Sequence, residues 1–413
     1  MSTPSSPTAT EPSAAAHFGA AAASGRDAFA RSLVSQPLLT PRFVRLLLLQ
    51  FTFGLGFSVF FLFPKYMADC LGSGPAQIGQ ATAAGPLLAA LAVPWTAGYL
   101  DRRRRRGPIL AGGVLLALAS VGLLLSNSFG PWLLLMRGLQ GMTFTLFFSA
   151  TGTLAADEAP QHRLSQAIGL VSLAMLVTNA ISPAMVEPLA ARHGWGVVFV
   201  LAAACGTASV CLGLGLEDRT SSSRESAPSL RHLADRRSLI VLGCAAAVGV
   251  AFGTVTTFFQ PWLLERGTKN VGGLFIGYTL TAVFARIVLG SVADSVGRHR
   301  VSLGALVLYT IVVFSMVGLT SQNLLALGAG LGLAHGLLYP ALSAMLVENR
   351  HATQRGSAVA FFTGTFNAGF ALSSLGFGAL AAWLGYPSVF VAAGLITLTA
   401  VFALSRLPHA RES

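Results

Sequence analysis

The sequence predicts an all-α integral membrane protein of twelve transmembrane helices, arranged as two six-helix halves in a pseudo-twofold arrangement. Three observations support this fold class. Of the 413 residues 54% are hydrophobic and only 10% are charged, whereas soluble domains carry about 25% charged residues. The apolar residues form runs of about 20, enough to cross about 30 Å of hydrocarbon as a helix. Finally, a charged turn near residue 100 recurs near residue 294, nearly half the chain later.

The apolar runs define the predicted spans in chain order. Mean hydropathy is +0.68, and the 45 glycines and 19 prolines suit membrane helices, where small residues let backbones approach closely. The predicted spans are 43–65, 76–99, 108–126, 129–153, 164–187, 194–216, 238–262, 271–293, 301–320, 323–347, 356–383 and 386–406.

Polar segments divide the chain into domains. Residues 1–41 are rich in Ser, Ala, Thr and Pro and predict a disordered cytoplasmic tail without a cleaved signal peptide. The only long polar interruption, 217–237, predicts a cytoplasmic central loop. The N-terminal half is therefore predicted at 42–216 and the C-terminal half at 238–406, with a cytoplasmic tail at 407–413.

The basic residues predict the orientation. Most of the 27 Lys and Arg residues fall on the side of the N-terminal tail, and only Lys65, Arg192, Arg266 and Lys269 fall on the other side. The positive-inside rule then makes both termini cytoplasmic. The formal net charge of +12 needs no nucleic acid to explain it. Anionic lipid is a candidate partner of Arg102–Arg106.

The charged turns belong to a longer internal repeat. They read Ala97-Gly-Tyr-Leu-Asp101-Arg102 and Gly290-Ser-Val-Ala-Asp294-Ser-Val-Gly297-Arg298. Other segments recur at nearly the same offset: Ile78-Gly79 with Val271-Gly272, Arg163 with Arg355, and Gly194-Trp195 with Gly385-Tyr386. A near-constant offset across six spans indicates duplication into parallel halves.

These features resemble the major facilitator superfamily of transporters over about residues 43–406. The family's signature between helices 2 and 3 is Gly-x-x-x-Asp-Arg/Lys-x-Gly-Arg-Arg/Lys. Its second copy is matched at Gly290, Asp294, Gly297 and Arg298. The first copy keeps Asp101 and Arg102, but has Ala97 and Arg104 at the two glycine positions.

The signature has a physical interpretation. An aspartate at a helix end can accept hydrogen bonds from a neighbouring helix N-terminus and pair with arginines. Such a cluster would hold the halves together on the cytoplasmic face in one state and release them in the other. The expected conformational gate comprises Asp101, Arg102, Gly290, Asp294, Gly297 and Arg298. The alternative for Arg102–Arg106 is that they only anchor the loop.

Two further motifs resemble this family. The run Arg137-Gly-Leu-Gln140-Gly141 is similar to the Arg-x-x-x-Gly motif of the fourth helix, which is associated with proton-coupled members. Ser182-Pro183 matches in part the Gly-Pro that antiporters often carry in the fifth.

Polar side chains inside the spans are the candidate substrate and proton-coupling residues. A charge inside the membrane costs about 3 kcal/mol and is usually functional, which selects Arg137; Arg286 could equally reach toward the cytoplasmic end. His335 is the only mid-depth side chain that titrates near neutral pH, so it either carries a proton or packs between helices. Polar contacts in a cavity, or hydrogen bonds between helices, are expected from Gln140, Asn179, Gln260, Tyr339 and Asn367.

Carboxylates are missing from the middle of every predicted span, which favours a neutral, zwitterionic or anionic substrate. The leading hypothesis is a secondary active transporter in a bacterial inner membrane that exports a small organic solute by proton-driven alternating access. Export rests on resemblance to bacterial efflux members. The alternatives are a proton symporter or facilitator importing a metabolite, and a transport-inactive receptor or assembly factor.

The four cysteines show no metal-ligand spacing. We expect no enzyme, cofactor or metal site, and a monomer whose partners are solute, protons and lipids.

Overall fold

The protein is built from helices alone throughout the residues that the computed structural model describes, which are 39–100, 106–158, 164–216, 233–268, 270–289, 296–348 and 352–407. The helices are α1 (Pro41–Leu71), α2 (Pro75–Leu100), α3 (Arg106–Leu124), α4 (Pro131–Glu158), α5 (Leu164–His193), α6 (Trp195–Leu214), α7 (Arg236–Glu265), α8 (Gly272–Val288), α9 (Arg298–Ser315), α10 (Leu324–Val347), α11 (Ala352–Leu384) and α12 (Tyr386–Ser405). Within this part of the chain, ten helices are long and apolar enough to cross a membrane, α8 is a shorter apolar helix, and α2 has 26 residues. The predicted fold class and the order of twelve helices are confirmed.

Several helix ends differ from the predicted limits by five residues or more, among them α4, which extends to Glu158 instead of residue 153, and α5, which extends to His193 instead of residue 187. Helix α1 continues to Leu71 instead of ending at residue 65. Its 3-10 turn at Val59–Leu62 passes into a second α-helical stretch with a proline in its first turn, and Gly72 ends it at φ +56°. Helix α8 ends at Val288 instead of residue 293. Its last turn closes where the Leu289 N–H bonds to the Ala285 carbonyl.

Local sequence signals explain where several helices begin. Thr40 caps α1, since its Oγ1 accepts from the Phe43 N–H at 3.2 Å, and Asp235 caps α7 by accepting from the Ser238 N–H at 3.0 Å. Gly194 and Gly385 precede α6 and α12 with nearly the same backbone angles, φ +81° and ψ 167° against φ +79° and ψ 165°. Only glycine adopts this conformation readily. The two glycines of the internal sequence repeat therefore have the same structural role at the start of equivalent helices.

Helix pairing repeats in the same way. In the first half α1 packs on α5 and α6, α2 on α4, and α3 on α4 and α6. In the second half the equivalent pairs recur: α7 packs on α11 and α12, α8 on α10, and α9 on α10 and α12. The halves meet mainly through α2 with α11 and through α5 with α8. These two contacts are equivalent, because α8 is the counterpart of α2 and α11 is the counterpart of α5. These contacts are those expected of two halves related by a pseudo-twofold axis.

Glycines permit the close helix pairs. A Cβ at Gly332 on α10 would lie 2.0 Å from the Tyr278 carbonyl oxygen on α8. In the first half, a Cβ at Gly141 on α4 would lie 2.2 Å from the Gly85 carbonyl oxygen on α2. Dispersion between closely packed backbones is a main source of helix association in a membrane. The glycine of the Arg137–Gly141 motif is thus a packing residue.

Successive helices run in opposite directions, so the bundle has two ends. We call the end where α1 begins the proximal face and the end where α1 reaches Leu71 the distal face. The hydrogen bond from Arg45 Nη1 to the Gly215 carbonyl, 2.7 Å long, lies at the proximal face. The bond from Arg266 Nη1 to the Leu319 carbonyl, 2.6 Å long, lies at the distal face.

The glycine contact between α2 and α4 yields a first prediction. Gly141→Val should lower the apparent melting temperature of the purified protein by several degrees, since overpacking a close contact costs about 1–3 kcal/mol. Gly152→Val on the same helix is the matched control, because a Cβ there meets nothing within 4 Å. Equal melting temperatures for the two variants in thermal unfolding would contradict the packing role.

Candidate functional site

A cluster of charged and polar groups joins the two halves at the distal face, and we call it the distal lock. It comprises Lys65 on α1, Glu187 on α5, Gln260 on α7, and the start of α8 at Val271 and Gly272. Lys65 Nζ forms an ion pair with Glu187 Oε1, and the two side chains are only 10% and 14% exposed. Removing two such charges from water is costly, and their attraction offsets that cost only if the geometry is good and further hydrogen bonds satisfy them.

The same carboxylate binds the first amides of α8. Glu187 Oε1 accepts from the Val271 N–H at 2.8 Å, and Oε2 accepts from the Gly272 N–H at 2.9 Å. These amides have no partner within their helix, and the positive end of the helix dipole favours the negative charge. Glu187 therefore joins α5 of one half to α8 of the other while it neutralises Lys65.

Gln260 completes the lock from α7. Its Oε1 accepts from the Lys65 backbone N–H at 3.1 Å, and its Nε2 donates to the Phe61 carbonyl at 2.6 Å. The side chain is fully buried. Phe61 lies in the 3-10 turn of α1, where the helical hydrogen-bond pattern is broken. The amide of Gln260 thus satisfies backbone groups that this turn releases.

A seam of small residues continues the contact between α2 and α11. A Cβ at Gly79 would lie 2.2 Å from the Ser374 carbonyl oxygen, and a Cβ at Gly378 would lie 2.9 Å from the Pro75 carbonyl oxygen. Pro75 and Gly79 belong to the distal end of α2. The halves are therefore held at this face by backbone packing as well as by the distal lock.

Arg137 is buried in the first half beneath this face. Its Nη1 donates to Gln140 Oε1 at 2.5 Å, one turn along α4. The guanidinium also lies over the rings of Phe60 and Phe63, 5.4 Å and 4.4 Å from their centroids, which stabilises a desolvated cation. Its Nε is buried without a hydrogen-bond partner, and the residue is 5% exposed. The structure therefore brings Arg137 and Gln140 together, as their spacing predicts.

His335 is the centre of an aromatic cluster in the second half. Rings from four other helices surround it at centroid distances of 5.1–6.1 Å, and Tyr339 of its own helix stacks on it at 5.6 Å. The residue is 7% exposed and its Nδ1 has no hydrogen-bond partner. The rings of this cluster, which we call the His335 cluster, are Phe252, Tyr278, Tyr309, Tyr339 and Phe366.

Arg286 is the cation of this cluster. It is half-buried on α8, two turns beyond Tyr278 on the same helix, and α8 packs on α10, which carries His335 and Tyr339. Among the described residues no carboxylate pairs with it. The sequence could not decide between a proximal and an interior role for Arg286, and the structure associates it with the His335 cluster.

The remaining polar candidates make contacts between or within helices. Asn179 Oδ1 on α5 accepts from Ser58 Oγ on α1 at 2.9 Å. Tyr339 Oη lies 3.3 Å from Thr363 Oγ1 on α11. Asn367 is half-buried on α11 beside Phe366. Asn179 and Tyr339 therefore follow the expected alternative of hydrogen bonding between helices.

Only part of the predicted cytoplasmic gate can be described. Gly297 adopts φ +99° immediately before α9, a conformation that favours glycine. Arg298 Nη1 lies 3.3 Å from Glu348 Oε1, and Arg237 Nη2 lies 2.6 Å from Glu348 Oε2. The other predicted members, Asp101, Arg102, Gly290 and Asp294, lie outside the described residues, and their role stays a prediction.

Sequence reasoning missed the distal lock and Glu348. Lys65 and Glu187 are 122 positions apart, and each is a single charge near the end of an apolar run. The available signal was that opposite charges end the first and fifth spans at the same face. Gln260 was expected only as a general polar contact, and the structure assigns it to the distal lock.

The lock yields a second prediction. Glu187→Ala removes both acceptors of the α8 amides, so hydrogen exchange of the segment beginning at Val271 should accelerate about tenfold, which corresponds to about 1.4 kcal/mol. Glu265→Ala is the control, because Glu265 is an exposed carboxylate at the same face. Unchanged exchange in Glu187→Ala, measured by mass spectrometry, would mean that the carboxylate does not hold this helix end.

Comparisons with known proteins agree with the fold. The solved structure of a point mutant of the nucleoside transporter NupG superposes with a TM-score of 0.76 at 12% identity, covering 88% of this chain and 98% of that one. A POT family transporter solved with a thioalcohol-conjugated peptide gives a TM-score of 0.70 at 15% identity, covering 87% of this chain and 94% of that one. These likenesses establish the fold alone.

Sequence relatives identify the family. The multidrug resistance protein MdtG of Salmonella paratyphi A is 25% identical over 350 residues, which are 79% of this chain and 84% of that protein. The human chromaffin granule amine transporter is 25% identical over 336 residues, or 78% of this chain, and the match spans 63% of the human protein's length. The family model described as Major Facilitator Superfamily matches residues 46–276 and 241–413. The chain therefore belongs to the major facilitator superfamily.

Proposed function

We propose that this protein is a secondary active transporter that exports a small organic solute in exchange for inward-moving protons. The observation that carries the proposal is the distal lock, a polar junction between two halves whose interiors hold charged and aromatic groups. Alternating access requires such a junction on each face, formed in one state and broken in the other.

The orientation gives each face a role. With both termini cytoplasmic, as the basic residues favour, the distal face is extracellular and the distal lock is the outer gate. The proximal signature with Asp101, Arg102, Asp294 and Arg298 is then the inner gate. The contacts between the halves described above lie at or near the outer gate, so the conformation fits a state closed to the outside.

Export and proton coupling rest on separate observations. Export is supported by relatives named as a multidrug resistance protein and an amine transporter. Proton coupling is supported by the Arg137–Gly141 motif and by two titratable side chains, Glu187 in the outer gate and His335 near mid-membrane. Protonation of Glu187 would remove the charge that Lys65 and the α8 amides require, which couples a proton to opening.

The runner-up is an importer or facilitator. Solved structures with this fold include proteins titled as a nucleoside transporter and a peptide-bound POT family transporter. The same lock and buried polar groups would serve solute entry together with protons. The direction of proton movement distinguishes the two hypotheses.

Reconstitution in liposomes with a trapped pH-sensitive dye and an acidic lumen tests the proposal. When a transported solute is added outside, exchange carries protons out and the lumen becomes more alkaline. Cotransport carries protons in with the solute and the lumen becomes more acidic. Protein-free liposomes are the control. A broad solute panel that leaves the proton flux unchanged would refute coupled transport.

His335 yields a third prediction, which concerns coupling. Glutamine keeps much of the size and polarity of histidine but does not titrate near neutral pH. If His335 carries the proton, His335→Gln should retain downhill exchange and lose accumulation driven by a pH gradient. Both fluxes are measured in the same vesicles, so downhill exchange serves as the control for folding. Wild-type driven accumulation would assign His335 a structural role and leave the proton carrier unidentified, with Glu187 and the other distal carboxylates as the next candidates.

A further inference from the structure

The His335 cluster holds an unusual concentration of unused hydrogen-bond capacity. Buried polar atoms in proteins almost always have partners. Here three such atoms have none: His335 Nδ1, Tyr309 Oη and Arg286 Nε. A fourth, Thr279 Oγ1, lies on α8 two turns before Arg286 and so on the same side of that helix. These atoms come from α8, α9 and α10, and α10 packs on each of the other two.

The unused groups share one chemical property. The guanidinium of Arg286 can only donate, and the hydroxyls of Tyr309 and Thr279 each have a proton to donate. The imidazole of His335 can present an N–H at either nitrogen. A ligand that satisfies all of them must be rich in acceptors. A carboxylate offers about four lone-pair sites and no donor.

The charge at the cluster favours the same ligand. Arg286 brings a positive charge to the helix that carries Tyr278, whereas the carboxylates of Glu187 and Glu348 are engaged in ion pairs at the two faces. In a medium of low dielectric constant an uncompensated cation attracts an anion strongly and repels a second cation. An ammonium ligand would meet repulsion here.

The rings add a shape requirement. Phe252, Tyr339 and Phe366 are half-buried, and they lie 5.7–5.9 Å from one another in the pairs Phe252–Phe366 and Tyr339–Phe366. Half-buried aromatic faces at this spacing offer a surface on which a planar ring can stack, at a gain of about 0.5–1.5 kcal/mol beyond area burial. A saturated ring would lose that contribution.

We propose that the His335 cluster is a binding site for planar aromatic carboxylates, with the ring against Phe252, Tyr339 and Phe366 and the carboxylate toward Arg286. This substrate class rests on the proposed transport function and makes it more specific. It differs from the class named for the human relative, which is an amine transporter.

Equilibrium binding to the purified full chain in zwitterionic nanodiscs tests the proposal without any requirement for transport. The probes are 2-naphthoate, 2-naphthylmethylamine and decalin-2-carboxylate, which separate charge from planarity. We expect 2-naphthoate to bind at least tenfold more tightly than either of the others. Equal or tighter binding of the amine overturns the proposal.

Two variants test the assigned residues. Arg286→Gln should weaken 2-naphthoate binding at least tenfold and remove the preference over the amine. Arg266→Gln is the matched control, because that arginine lies over Trp262 at the distal face, 4.0 Å from the ring centroid. Phe366→Leu keeps the charge and removes a stacking surface, so it should weaken 2-naphthoate while the preference for an anion persists. This variant keeps the proposal testable if Arg286→Gln fails to fold. Wild-type 2-naphthoate binding in either variant overturns the assignment.

Binding and transport can fail independently. Tight, Arg286-dependent binding of 2-naphthoate without coupled flux for any solute supports the site and refutes the transport proposal. Proton-coupled flux of a cationic solute, with no measurable binding of 2-naphthoate, supports transport and refutes this substrate class.

Discussion

The Glu187 carboxylate, which pairs with Lys65 in its own half and binds the first amides of α8 in the other, is the central polar contact of the closed distal face. Removing two charges from water is costly, and their attraction offsets that cost only with good geometry and further hydrogen bonds. Here the further bonds to the Glu187 carboxylate come from the first two amides of α8, in the other half, and Gln260 of that half bonds to the Lys65 backbone N–H. The ion pair therefore has its full set of hydrogen bonds only while the two halves are in contact. Separation of the halves would remove the hydrogen bonds that the other half supplies.

The interior of the bundle has a different electrostatic character from this face. Arg137 and Arg286 lie inside helices without a described carboxylate partner, and the Arg137 guanidinium lies over two aromatic rings. Arg137 is almost fully buried and already has Gln140 and two phenylalanines as neighbours. Arg286 is half-buried and has unused donors around it. This difference favours Arg286 for contact with solute and Arg137 for holding the helices of the first half.

Much of the fold could be predicted from sequence because the membrane restricts the choices. With no water to satisfy the backbone, long apolar runs must form helices, and charge asymmetry orients them. The duplication was visible in Gly194 and Gly385, and the matching backbone angles explain why glycine recurs there. The predicted first span ended at Lys65 because a charged residue normally marks the end of an apolar run. In the structure Glu187 neutralises that charge inside the protein, and the helix continues.

The sites were harder to predict, for a physical reason. Arg137 and Gln140 are one turn apart, so local spacing was sufficient to pair them. The distal lock and the His335 cluster depend on groups from four or five helices, and tertiary packing alone brings them together. A single apolar run says nothing about which of its tyrosines and phenylalanines will face a histidine on another helix.

The central claim is that the distal face opens and closes about the distal lock. A direct test is the distance between spin labels at Gly130→Cys and Gly318→Cys, two distal loop positions where a Cβ meets nothing within 4 Å. The labels are placed in full-length protein in nanodiscs after replacement of Cys70, Cys205, Cys211 and Cys244. The account predicts two distance populations, with Glu187→Gln increasing the longer one. A single population that Glu187→Gln leaves unchanged would contradict it.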